Sequence, residues 1–171
     1  STGAKKLTGL GLVNYSFYPN SLFQKIDVGI SGSTFTVEQF TNSDNNKSNL
    51  GFTKVVPGIR LTLNEKDPRS QRHRFIQFKS YLFKEDALIV GLDTTITFKN
   101  RTVTDSRTLN QLRFVVENNR VLYPYSGELK IEQGKDFVRA GFTGKYFFNY
   151  AKKGGLDVRL FAGKFFYTSS K

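Results

Sequence analysis

Phe137-Val-Arg-Ala-Gly-Phe-Thr-Gly-Lys-Tyr-Phe-Phe-Asn-Tyr150 decides the fold. Read in twos, Val138, Ala140, Phe142, Tyr146, Phe148 and Tyr150 share one side, interrupted only by Gly144. The other side carries Arg139, Thr143, Lys145 and Asn149, with Gly141 and two aromatic exceptions, Phe137 and Phe147. Side chains alternate across a strand, so this stretch reads as a β-strand with one apolar and one polar face. It is far longer than the roughly 5–6 residues usual for globular strands, and it ends in aromatics. Long amphipathic strands tipped with aromatic rings are what a bilayer-spanning β-barrel requires.

The same rhythm runs through the rest of the chain, punctuated by Gly, Asn, Asp, Ser and Pro clusters. Residues 7–18 form a glycine-rich strand closed by Pro19-Asn20-Ser21. Ile26, Val28 and Ile30 alternate with Lys25, Asp27, Gly29 and Ser31; the parity then shifts to Phe35 and Val37, which predicts a bulge near Gly32-Ser33. Thr41–Asn49 reads as an exposed loop, and Asn64–Ser70 as a turn. Ile59, Leu61 and Leu63 alternate with Arg60 and Thr62. Arg74–Phe83 and Ala87–Phe98 read as separate strands, with Lys99–Thr108 either loop or strand extension. Leu112, Phe114 and Val116 oppose Arg113 and Glu117; Leu129 and Ile131 oppose Glu128, Lys130 and Glu132. Leu156, Val158, Leu160 and Ala162 oppose Asp157, Arg159 and Phe161. The expectation is an all-β, antiparallel up-and-down meander of about eight or nine strands, forming one domain over residues 1–171 or a segment of a larger barrel.

Composition bounds the partners. Lys plus Arg outnumber Asp plus Glu by 26 − 14 = 12, which favours anionic surfaces such as phospholipid head groups or nucleic acid. Cysteine is absent, which excludes disulfides and thiolate chemistry. No run approaches the ~18–20 apolar residues of a membrane helix, so any integration is through strands. Methionine is absent too, which suggests a processed chain or excised segment, and the closing Thr-Ser-Ser-Lys suggests that further strands follow.

Membrane and soluble barrels both give alternating strands; they differ in which face meets which solvent. Mixed-sign polar faces, aromatics gathered towards strand ends (Tyr81 and Phe83 among them) and in-strand glycines favour lipid outside. The expected lipid-facing residues are Ile26, Val28, Ile30, Val138, Ala140, Phe142, Leu156, Val158 and Leu160. Those expected to face a lumen are Lys25, Asp27, Arg113, Glu117, Lys130, Arg139, Lys145 and Arg159. The basic groups Lys5-Lys6, Arg69-Arg72-Arg74, Arg101-Arg107 and Lys152-Lys153 would lie near turns or strand ends, at head-group level. The alternative is a soluble basic barrel or sandwich binding a polyanion, nucleic acid included, or a lipophilic ligand.

Leu122-Tyr-Pro-Tyr-Ser-Gly-Glu-Leu-Lys130, the long strand and Gly155-Leu-Asp-Val-Arg-Leu-Phe-Ala-Gly-Lys-Phe-Phe-Tyr167 carry a resemblance. Gly9-Leu-Gly-Leu, Ser16-Phe-Tyr-Pro, Val56-Pro-Gly-Ile-Arg-Leu and Asp67-Pro-Arg-Ser add to it. Together they resemble the C-terminal outer-membrane β-barrel of large bacterial zinc-aminopeptidase-like surface proteins. The resemblance implies an anchoring barrel in the bacterial outer membrane, contacting outer-membrane lipid and other segments or subunits of a larger envelope protein. The His-Glu-x-x-His zinc motif of such enzymes is absent, so no catalytic residue carries over.

The residues themselves point the same way on chemistry. His73 is the only histidine and stands between Arg72 and Arg74, cations that oppose both protonation and metal binding. A histidine-based triad or multi-histidine zinc site cannot be built from this chain. Glu128 and Glu132 share a strand face, but Lys130 between them reads as a charge ladder. No phosphate-cradling or dinucleotide fingerprint occurs. The expectation is no catalysis, no metal and no cofactor.

Overall fold

The computed structural model describes residues 8–19, 22–40, 47–67, 69–92, 98–151 and 154–167. They form eight strands: β1 (Gly9–Phe17), β2 (Phe23–Phe40), β3 (Lys47–Leu63), β4 (Arg72–Leu92), β5 (Phe98–Asn118), β6 (Tyr125–Gln133), β7 (Phe137–Ala151) and β8 (Gly154–Tyr167). Each pairs antiparallel with its neighbours in chain order, giving a single meandering sheet. β1 and β8 are its edges, and the sheet is not closed. The described residues include no helix.

Short connections enforce this order, because a strand that ends in a tight turn can only return beside itself. Between β3 and β4, the Asp67 carboxylate accepts from the Arg69 amide (2.9 Å), and the Ser70 amide donates to the Asp67 carbonyl (3.0 Å). Between β6 and β7, the Gly134 amide donates to the Phe137 carbonyl (2.9 Å). Between β5 and β6, Tyr123 takes a left-handed backbone (φ 56°), and the Phe147 amide of β7 donates to the Pro124 carbonyl (3.0 Å).

The structure corrects the sequence reading in four places. No bulge occurs at Gly32-Ser33: the ladder runs through Gly11↔Gly32↔Val55 and Leu10↔Ser33↔Lys54, and the shift lies instead between Phe23 and Lys25. With register held on both sides, Phe35 and Val37 land on the charged face, where Phe35 stacks on Phe52 at 4.7 Å. Arg74–Phe83 and Ala87–Phe98 are not two strands. β4 runs unbroken to Leu92 because β5 pairs with it along its whole length, from Arg72↔Asn118 to Leu92↔Phe98. Lys99–Thr108 is therefore strand, held by pairing rather than by apolar pattern, and Arg107 stands inside β5 rather than at an end. Finally, residues 47–49 already belong to β3, paired with Phe40, Gln39 and Glu38 in turn; residues 41–46 of the expected loop lie outside the described residues.

The hydrophobic core is nearly absent. Among the described residues only Val56, Phe75 and Val115 are buried apolar side chains. All three share the face that carries Arg60 and Arg113. A flat single-layer sheet would expose both faces alike. Here Val115 is 2% exposed while its larger neighbour Phe114, on the opposite face, is 37% exposed. The sheet therefore curls with its charged face inward.

Candidate lipid-facing surface and polar interior

Register links side chains into rows that run across the sheet. One row passes Phe17↔Ile26↔Leu61↔Ile76↔Phe114↔Leu129↔Phe142↔Ala162, apolar on all eight strands. The next on the same face passes Tyr15↔Val28↔Ile59↔Phe78↔Leu112↔Ile131↔Ala140↔Lys164, charged only at its last member. These rows form a belt whose large side chains face outward: Phe78, Leu112, Leu129 and Phe142 are 41–43% exposed. Soluble monomers rarely leave a contiguous apolar patch beyond a few hundred Å² uncovered.

The belt has chemically distinct borders. On β4 the outward series runs Arg72, Arg74, then Ile76 and Phe78, then Ser80, Leu82, Lys84 and Asp86. Where polar groups enter the outer face they meet each other: Ser80 Oγ donates to Asn110 Oδ1 (2.8 Å), and the Thr34 and Thr53 hydroxyls lie 3.1 Å apart. Further out, Asp86 accepts from the Thr104 hydroxyl (2.6 Å) and the Gly51 amide (3.1 Å). Below the belt, Tyr125, Tyr146 and Phe148 line the end that carries the β1–β2, β3–β4 and β5–β6 turns, and the Tyr146 and Phe148 rings pack 6.3 Å apart. That end also holds a charged clamp outside the belt: Glu65 accepts from Arg72 (2.7 Å) and Arg74 (2.7 Å). The bond from Arg72 leads in holding the Glu65 carboxyl below its ordinary value, with Arg74 adding to it against the cost of burial.

The inward face is a network of paired charges. Its central row passes Ser16↔Asp27↔Arg60↔Gln77↔Arg113↔Lys130↔Gly141↔Gly163. Arg113 donates to Glu128 across the β5–β6 pair (2.8 Å), and Lys25 pairs with Asp27 (2.8 Å). Glu132, 4% exposed, accepts from Arg139 across β6–β7 and from Gln111 (2.9 Å), with Lys130 at 3.7 Å. Cations also lie over rings: the Arg60 guanidinium is 3.9 Å from the Phe75 centroid, and Lys54 is 5.3 Å from that of Tyr81.

All nine residues expected to face lipid (Ile26, Val28, Ile30, Val138, Ala140, Phe142, Leu156, Val158 and Leu160) lie on the apolar face. All eight expected to face a lumen (Lys25, Asp27, Arg113, Glu117, Lys130, Arg139, Lys145 and Arg159) lie on the other. Arg113 and Lys130 are cross-strand partners, and Lys145 stands beside Arg159; Glu117 stands between His73 and Ser126. Tyr81 and Phe83 are not part of an outer aromatic ring. They stand on the charged face within β4, because that strand continues to Leu92. Sequence reasoning passed over Asn14, Gln77 and Lys79, which the register gathers around Arg60; strand parity alone would have put each on its face, but not side by side. The side chains of Lys5, Lys6, Arg101, Lys152 and Lys153 lie outside the described residues. Among the described residues no group of His, Asp or Glu could hold a metal ion. No family model, curated protein or solved structure matches this chain.

Proposed function

We propose that this chain is the wall of a bacterial outer-membrane β-barrel, acting as a membrane anchor or as part of a larger envelope protein, with no catalysis of its own. The observation that carries the reading is the pair of register-aligned apolar rows, outward-facing across the eight strands with no second layer over them. Hydrocarbon is the environment in which such a face costs nothing, whereas in water each buried or exposed leucine-sized side chain differs by ~1.5–3 kcal/mol. On β7 the outward residues from Val138 to Phe148 extend about 33 Å at ~3.3 Å per residue. At the ~40° tilt of membrane barrels that rises about 25 Å, the height of an apolar belt. The resemblance to outer-membrane barrels of zinc-aminopeptidase-like surface proteins supports the same assignment.

The inward face supports it from the other side. Its rings at Phe75 and Tyr81 lie beneath Arg60 and Lys54, which occupy faces on which nucleic-acid bases would stack. The test is extraction and refolding. The expressed chain should require detergent to become folded and protease-resistant, and should insert into lipid vesicles. A folded monomer in plain buffer, with Phe142 shielded from solvent, would overturn the reading.

A further inference from the structure

On the inward face of β1–β4, two neighbouring glycines open a recess of about 360 Å³. The row there is Asn14↔Gly29↔Gly58↔Lys79, so bare backbone forms the floor between two polar walls. A Cβ on Gly29 would come within 2.8 Å of Asn14 Oδ1, and one on Gly58 within 3.1 Å of Lys79 Cγ. The adjacent rows add Asp27, Arg60 and Gln77 on one side and Ser31 on the other. Lys25, Arg60 and Lys79 thus converge on a recess that holds a single carboxylate, Asp27. That carboxylate is already engaged by Lys25 (2.8 Å) and by the Ser16 hydroxyl.

Around the recess cations outnumber carboxylates by three to one. Across β5–β7, Arg113 has Glu128, and Arg139 and Lys130 share Glu132. Around the recess, no carboxylate among the described residues forms an ion pair with Arg60 or Lys79. Unpartnered cationic donors set in a walled recess favour a compact oxyanion, which supplies several acceptors at once.

We infer that this recess binds a phosphoryl group, with Arg60 and Lys79 as its charged ligands and Asn14, Gln77 and Ser31 around it. The site does not depend on which solvent meets the apolar face. If the chain folds without detergent, the same titration is run in plain buffer.

The experiment is calorimetric titration of the full folded chain with inorganic phosphate at low ionic strength. One saturable site is expected, weakened at least tenfold by Lys79→Gln. Gly58→Ala keeps every charge but crowds Lys79, and should also weaken binding. Lys145→Gln, the same charge loss elsewhere on the face, should leave affinity within twofold. Glycerol phosphate displacing phosphate would mark the natural source as soluble; displacement only by phosphatidylglycerol micelles would mark it as a lipid head group. Absence of a saturable site, or equal losses in Lys79→Gln and Lys145→Gln, overturns the inference.

Discussion

At the scale of single residues, neighbours in sequence face opposite environments. Phe142 lies in the outer row between Leu129 and Ala162, while Thr143 faces inward between Glu128 and Phe161. In a bilayer, Phe142→Arg should therefore cost about 2–4 kcal/mol near the midplane. Thr143→Arg places its charge beside Glu128 and should change stability little. Urea titrations of the two variants refolded into vesicles check this, and equal losses would contradict the assignment of faces. Glu132 offers a second contrast, because its buried carboxylate gathers Arg139, Gln111 and Lys130. Glu132→Ala removes hydrogen bonds from charged donors and should cost about 2 kcal/mol. Glu117→Ala, whose carboxylate makes no comparable cluster, should be nearly neutral in the same assay.

At the scale of elements, pairing overrides local pattern. β5 between Lys99 and Thr108 has almost no apolar alternation, yet it is strand because β4 supplies a ladder partner for each residue. Gly32-Ser33 looked like a bulge because Phe35 and Val37 break parity, but β1 and β3 hold the register on both sides. The β3–β4 turn adds a pH-sensitive element. Glu65 has its carboxyl lowered by Arg72 and Arg74, so the clamp contributes fully above the ordinary carboxylate value of 4.5 and is lost as pH falls through the lower folded value. Hydrogen exchange across residues 64–72 should be faster in Glu65→Gln than in the native chain at pH 7. The two should converge as pH falls through that lower folded value, and a difference that persists once the carboxyl is protonated would show that the carboxylate is not the source.

At the scale of the whole molecule, protection should follow position in the sheet. β4 and β5 each have a strand on both sides, while β1 and β8 have one, and Leu160 and Phe161 on β8 are 62% and 73% exposed. Amides of β1 and β8 should exchange before those of β4 and β5. Uniform protection across all eight strands would mean that the edges pair, with each other or with a further strand, in the folded sample. Edge strands that are apolar on both faces are otherwise liabilities for association.

The alternation of residues 137–150 and its echoes was enough to determine an all-β meander and to sort seventeen side chains onto two faces, because the two-residue period of a strand is a local property of the chain. What sequence could not supply was adjacency: that Phe17 and Ala162 end one apolar row, that Arg60 lies beside Gln77, or that two glycines from β2 and β3 form one floor. Those relations depend on register between strands far apart in the chain, which only the assembled hydrogen-bond ladder fixes. The curl that turns the charged face inward was decided there as well, since curvature belongs to the sheet and not to any one strand.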